Sequence, residues 1–142
     1  MNVLLLIDKV YSDRVVKYFI EKPFTVEIIT NNLSPAYNNY KDYVVSDTLE
    51  EKNINKPNLI ISYRYWKRIP NRILELANYN TFNFHPAPLP EYRGVKCSTF
   101  AIINEETEYG VSLHKMNEKI DEGGIIKVNK FPINDSDTGF SL

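Results

Sequence analysis

The sequence predicts an open α/β fold, a mostly parallel sheet flanked by helices. Three observations carry that expectation. The chain begins with the continuous apolar run Val3-Leu4-Leu5-Leu6-Ile7, the pattern of a strand buried on both faces. Strand-like and helix-like segments then alternate through the first two thirds, which implies parallel pairing through right-handed crossovers. The last two strand-like stretches, Tyr109 to Met116 and Ile125 to Phe131, are joined by a short loop without a helix, so this pair is expected to be antiparallel.

Taken in order, Ser12 is placed to cap a helix whose apolar stripe is Val15, Val16, Phe19 and Ile20. Phe24 to Thr30 is rich in β-branched residues and reads as a strand. Asn31 to Asn55, with Asn31-Asn32, Pro35 and Asn38-Asn39, reads as a long irregular surface segment. Leu59-Ile60-Ile61 is a short buried strand, and Pro57 stops anything helical before it. Pro70 suits the first residue of a helix carrying Ile73, Leu74 and Leu76. Thr81 to Phe84 is a further strand, and Lys96 to Asn104 a helix with Phe100 and Ile103 on one side. Asp135-Ser136-Asp137-Thr138 has the character of a helix N-terminus with only four residues after it. The expectation is therefore a single domain core over residues 1–142, cut short at its C-terminus.

With 142 residues the chain fits one domain, and 43% hydrophobic and 25% charged residues are globular values. Seventeen Lys and Arg stand against 18 Asp and Glu, so there is no general attraction to nucleic acid or to an anionic membrane. Cys97 is the single cysteine, which excludes an intrachain disulfide and a cysteine metal cluster; no metal is expected. Inside a helix beside Phe100, it reads as a small packed residue. Val3 to Ile7 is too short for a signal peptide or a membrane span, and a cytoplasmic location is expected.

The chemistry concentrates in two loops. The first, Asn83-Phe84-His85-Pro86-Ala87-Pro88-Leu89-Pro90-Glu91-Tyr92-Arg93-Gly94, leaves the end of a strand. In such sheets ligands bind beyond the carboxyl ends of the strands. Asn83 and His85 are separated by one residue, so extended backbone directs both side chains to one face. Pro86, Pro88 and Pro90 stiffen the exit. An amide donor beside a group that titrates near neutrality is what a carbonyl undergoing addition needs, because negative charge develops on its oxygen.

The second loop is Asn117-Glu118-Lys119-Ile120-Asp121-Glu122-Gly123-Gly124. Asp121, between an apolar Ile120 and a turn, is the acid expected to face inward. Beside His85 it would favour the imidazolium and orient the ring. Each feature alone has a plain structural reading: Asn-x-His can be an ordinary strand, and Asp before Gly-Gly an ordinary turn. Their order on a parallel sheet is what joins them.

The first of these segments resembles the signature of the folate-dependent formyltransferases, whose members share an Asn-x-His-Pro loop ending in Tyr-Arg-Gly. Gly110-Val111-Ser112-Leu113-His114-Lys115-Met116 through Ile120-Asp121-Glu122-Gly123-Gly124-Ile125-Ile126 resembles the family's second block, with its Asp-x-Gly. The similarity runs from about Leu59 to Phe131. What it implies is a Rossmann-like catalytic domain using 10-formyltetrahydrofolate as formyl donor, with Asn83, His85 and Asp121 as catalytic residues. Asn83 and His85 would hold and polarise the formyl oxygen, while Asp121 would keep His85 charged and help remove the amine proton. The pterin is expected between the segment Ser62 to Ile69, with Trp66, Lys67 and Arg68, and the loop Met116 to Asp121, with Met116, Asn117, Ile120 and Asp121. His114, Pro86 and Gly123 would be supporting.

The loop Ile7-Asp8-Lys9-Val10-Tyr11-Ser12 lacks the glycine-rich turn that glycinamide ribonucleotide enzymes present to a phosphate. The methionyl-tRNA branch normally adds a basic domain, for which the balanced charge offers no substitute. The resemblance is therefore closest to the sugar-nucleotide branch, whose acceptor is the amino group of a nucleotide-linked amino-deoxy sugar. Hydrolysis of the formyl folate, whose relatives carry an additional N-terminal domain, and a folate-binding remnant without turnover are the alternatives. A homodimer contact is expected in elements beyond Leu142. Neither nucleic acid nor a membrane is an expected partner.

Overall fold

The structure, a computed structural model, describes residues 1–8, 12–50, 53–65 and 67–142. Residues 9–11 of the first loop, and Trp66, lie outside the described residues. The chain divides into two compact units, Met1–Phe82 and Asn83–Leu142. The strand order is β3-β2-β1-β4-β5-β6-β7, in a mostly parallel sheet with flanking helices.

The first unit contains β1 (Asn2–Ile7), α1 (Asp13–Ile20), β2 (Thr25–Ile29), α2 (Pro35–Asn39), a 3-10 turn (Lys41–Tyr43), β3 (Val44–Ser46), β4 (Leu59–Tyr63) and α3 (Asn71–Leu76). β1 pairs in parallel with β2 on one side and β4 on the other, setting Leu5 opposite both Ile28 and Ile61. Leu4, Leu5, Leu6 and Ile7 are fully buried, as an apolar run covered on both faces must be. Each such side chain contributes about 1.5–3 kcal/mol relative to leaving it exposed.

Helix α1 buries Val16 and leaves Val15, Phe19 and Ile20 half-buried. Ser12 sits at its N-cap without a side-chain capping bond. Asp13 holds the first turn instead, pairing with Lys17 at 2.8 Å and accepting the hydroxyl of Tyr40. Pro70 is the N-cap of α3, one position earlier than its sequence suggests.

The segment Asn31 to Asn55 is more ordered than its asparagines imply. Ser34 caps α2 by accepting the N–H of Ala36 at 3.3 Å, and Pro35 takes the first helical position, where its missing N–H costs nothing. β3 then adds an edge strand parallel to β2. Glu27, though buried, is satisfied by the backbone N–H and side-chain amide of Asn55.

Strand β5 (Thr81–His85) carries the chain into the second unit, which holds α4 (Cys97–Ile103), β6 (Glu108–Lys115) and β7 (Ile125–Pro132). β6 and β7 are antiparallel, as expected from their short connection. The core here is Ala87, Cys97, Ala101 and Tyr109. Helix α4 therefore buries its small residues. Phe100 and Ile103, expected on one side of the helix, are 51% and 66% exposed. Their spacing made an apolar stripe, but Cys97 and Ala101, four apart, allow the helix to approach Tyr109 closely.

The proline loop is fastened to β6. The Ser112 hydroxyl accepts the N–H of Leu89 at 2.8 Å and donates to the carbonyl of Ala87 at 2.7 Å. The Tyr109 hydroxyl donates to the carbonyl of Pro86 at 2.6 Å. Near Leu142, Thr138 Oγ1 accepts the N–H of Phe140 and of Ser141, while the Thr138 N–H donates to Ser141 Oγ at 2.9 Å. That reciprocal pattern has the bonding of a helix start, but residues 133–142 form turns and no helix follows. No described helix is long and apolar enough to cross a membrane.

Candidate active site

The candidate site lies within the second unit, where the end of β5, the end of β6 and the loop after β6 meet. His85 closes β5, and period-two alternation sends Asn83 the same way. His114 stands near the end of β6, and Asp121 follows in the loop before β7. His85 Nδ1 lies 3.4 Å from Asp121 Oδ2, and His114 Nε2 lies 3.5 Å from Asp121 Oδ1. Asn83 Nδ2 is 3.1 Å from His114 Nε2. The side chains of His85, His114 and Asp121 are only 4%, 3% and 8% exposed. Two segments distant in the chain thus bring an amide, two imidazoles and a carboxylate together.

Hydrogen-bond chemistry fixes the protons. His85 Nε2 lies 2.8 Å from the carbonyl of Tyr92, and a carbonyl only accepts, so this nitrogen carries hydrogen. His114 Nδ1 is 2.7 Å from the carbonyl of Lys115 by the same logic; its Nε2 accepts from the Asn83 amide when the ring is neutral and faces Asp121 as a donor when the ring is charged. The second hydrogen on Asn83 Nδ2 takes no part in that contact.

Asp121 is held in place from several sides. Its residue adopts a left-handed φ of 54°, which turns the carboxylate back toward β5. Oδ2 accepts the N–H of Gly94 at 3.0 Å. Burial works to raise its carboxyl, but the bonds from His114 and Gly94 and the charges of both imidazoles outweigh that, and it lies below the ordinary carboxylate value. The other acids of the loop stay outside. Glu122 pairs with Arg93 and Lys119, Glu118 is exposed, and Ile120 is 63% exposed.

A carboxyl depressed in the folded state stabilises the fold above its unfolded value near 3.8, and that contribution is lost as pH falls through the folded value. Urea unfolding at neutral and acid pH is therefore expected to show a smaller acid loss in Asp121→Asn than in the wild type. Equal losses in both proteins would remove the linkage.

The glycines of this loop differ. A Cβ on Gly123 would lie 1.8 Å from the Lys115 carbonyl oxygen, whereas one on Gly124 would meet nothing within 4 Å. Gly123 is thus where the loop presses on the end of β6, next to the bond from the Lys115 N–H to the Gly124 carbonyl at 2.9 Å.

Of the residues expected to hold a cofactor, Met116 is half-buried, and Asn117 and Ile120 are exposed on the loop that delivers Asp121. Asn117 Oδ1 accepts the N–H of Lys119, a local turn. Lys67 and Arg68 belong to the first unit. Sequence reasoning missed the Gly94 N–H, the Tyr92 carbonyl and the nearness of Cys97. The buried Cys97 Sγ lies 3.8 Å from His85 Nε2 and donates to the Tyr92 carbonyl at 3.0 Å.

Fold and site together define an α/β protein with a largely buried imidazole–carboxylate cluster beside a half-buried amide at the end of its strands. The family model described as formyl transferase matches residues 11–142, and the chain belongs to that family. It is 43% identical over 86 residues to a GDP-perosamine N-formyltransferase of Brucella melitensis biotype 1, a stretch covering 61% of this chain and 33% of that protein. The match thus spans about a third of the length of such curated relatives. Among solved structures, an N-formyltransferase from Helicobacter canadensis, in complex with folinic acid and dTDP-3-aminofucose, superposes with a TM-score of 0.82 at 28% identity, over 99% of this chain and 56% of that one. A phosphoribosylglycinamide formyltransferase from Anaplasma phagocytophilum gives 0.80 at 21% identity, over 99% and 76%, and shows the shared fold.

Proposed function

We propose that this protein transfers the formyl group of 10-formyltetrahydrofolate to the primary amine of a nucleotide-linked amino sugar. The observation that carries the reading is the Asp121 carboxylate set between two buried imidazoles, beside the Asn83 amide. Membership of the formyl transferase family supports the reaction. The similarity to a GDP-perosamine enzyme and to a structure holding folinic acid and an amino-sugar nucleotide supports the acceptor class.

The donor supplies an electrophilic formyl carbon, and the residues present suit it. Asn83 offers its remaining amide hydrogen to the formyl oxygen, where negative charge develops as the amine adds. His85, with hydrogen on Nε2 and Asp121 at Nδ1, supplies positive charge close to that oxygen. Asp121, ionised at neutral pH, accepts the proton that the amine must shed, and a proton returns to the folate nitrogen as its bond to the formyl carbon breaks. Met116, Asn117 and Ile120 are assigned to the pterin because they lie on the loop that ends in Asp121. Lys67 and Arg68 carry the same assignment from the family resemblance. A soluble cytoplasmic enzyme that needs neither metal nor nucleic acid is part of the same proposal, as is a homodimer.

The test is a formyl-transfer assay with 10-formyltetrahydrofolate and a panel of nucleotide-linked amino sugars, following tetrahydrofolate and the formamide product. Formamide from at least one amino sugar is expected. Formate release unaffected by every amine would replace transfer with hydrolysis. His85→Gln is expected to lower kcat about a hundredfold or more. Unchanged kcat in that variant would move the polarising role away from His85.

A further inference from the structure

We propose that Tyr92 is a positioning residue that fixes His85 with its permanent hydrogen on Nε2, so that Nδ1, facing Asp121, is the nitrogen that exchanges a proton. The Tyr92 carbonyl sits 2.8 Å from His85 Nε2 and also accepts the thiol of Cys97 at 3.0 Å. A carbonyl with two donors is well placed in charge, but the backbone must present it correctly. Tyr92 does so at a φ of 55°, in the left-handed region that L residues adopt only when other contacts hold them there.

Those contacts come from the side chain. The Tyr92 hydroxyl donates to Glu106 at 2.6 Å and accepts from the Asn104 amide at 3.0 Å. Its ring packs edge-on against Tyr109 at 6.3 Å, and Tyr109 in turn is bonded to the Pro86 carbonyl just after His85. The phenol is therefore the outer end of a lever whose inner end is the carbonyl on the imidazole. Opposite, Asp121 accepts from Gly94, two residues beyond Tyr92, so one short turn serves both His85 and its carboxylate partner.

The chain has only two histidines, which makes the test direct. In mildly alkaline buffer, the ring nitrogen spectrum of 15N-histidine-labelled protein is expected to show opposite tautomers. His85 holds hydrogen on Nε2 and His114 on Nδ1, with His85→Gln assigning the signals. Tyr92→Phe is expected to shift His85 toward the Nδ1 tautomer and leave His114 unchanged. Glu106→Ala, which leaves the loop sequence intact, should move it the same way, and Glu106→Gln, which keeps an acceptor oxygen, should restore it. A His85 signal unmoved in both Tyr92→Phe and Glu106→Ala would overturn the proposal.

The rate effect rests on the formyl-transfer reading: kcat should fall about tenfold in Tyr92→Phe with the KM for formyl folate little changed. A tautomer shift in Tyr92→Phe, alongside a wild type that transfers no formyl group to any amine, would count against that reading and leave Tyr92's role standing. An unshifted tautomer in an active wild-type background would do the reverse.

Discussion

Asp121→Asn is expected to lose roughly a thousandfold in kcat while binding formyl folate almost as tightly as the wild type. The substitution keeps the shape of the side chain, so the Oδ1 atom can still accept the Gly94 N–H that Oδ2 accepts at 3.0 Å. What disappears is the charge between His85 and His114, at 3.4 and 3.5 Å. In the proposed reaction that charge matters most when the amine sheds its proton and the formyl oxygen becomes negative, so its loss falls on the transition state. Titration calorimetry with folate and single-turnover kinetics separate the two effects. Normal turnover in this variant would make Asp121 an ordinary turn residue. Lost folate binding would make its role structural.

Gly123→Ala should be damaging through backbone geometry alone. Its Cβ would fall 1.8 Å from the Lys115 carbonyl oxygen, and no side-chain rotation relieves a clash with backbone. The loop must move away from β6, which weakens the bond between the Lys115 N–H and the Gly124 carbonyl and displaces Asp121 two residues earlier. We expect a cost of about 1–3 kcal/mol, a fall in Tm of roughly 3–10 °C, and activity near that of Asp121→Asn. Gly124→Ala is the internal control, since nothing lies within 4 Å of its added carbon. Thermal unfolding and activity measured side by side decide it. Equal behaviour of the two alanine variants would show that the loop is not pressed against β6.

The pair of glycines illustrates a limit in reading sequence. Gly123-Gly124 announces a turn, but the residue types are identical, and only the approach of a carbonyl distinguishes them. Helix α4 gives a second case. Its apolar spacing put Phe100 and Ile103 on one side, and that side is exposed, while Cys97 and Ala101 fill the core against Ala87 and Tyr109. Periodicity ranks residues by hydrophobicity, whereas close packing can prefer the smaller ones. In Asn31 to Asn55 the opposite happened. The local signals at Ser34 and Pro35 were present, but an asparagine-rich surround obscured a five-residue helix and a three-residue strand.

By itself the sequence determined the order and type of the main strands and the antiparallel last pair, and it singled out Asn83, His85, His114 and Asp121 as the candidate site. Those follow from residue type and from alternation along a strand, both local properties. The tertiary structure alone decided that one carboxylate touches two imidazoles, and that the Gly94 N–H and the Tyr92 carbonyl complete the arrangement. Every residue except proline carries the same backbone donor and acceptor, so which of them serves a site is set by where the folded chain brings them.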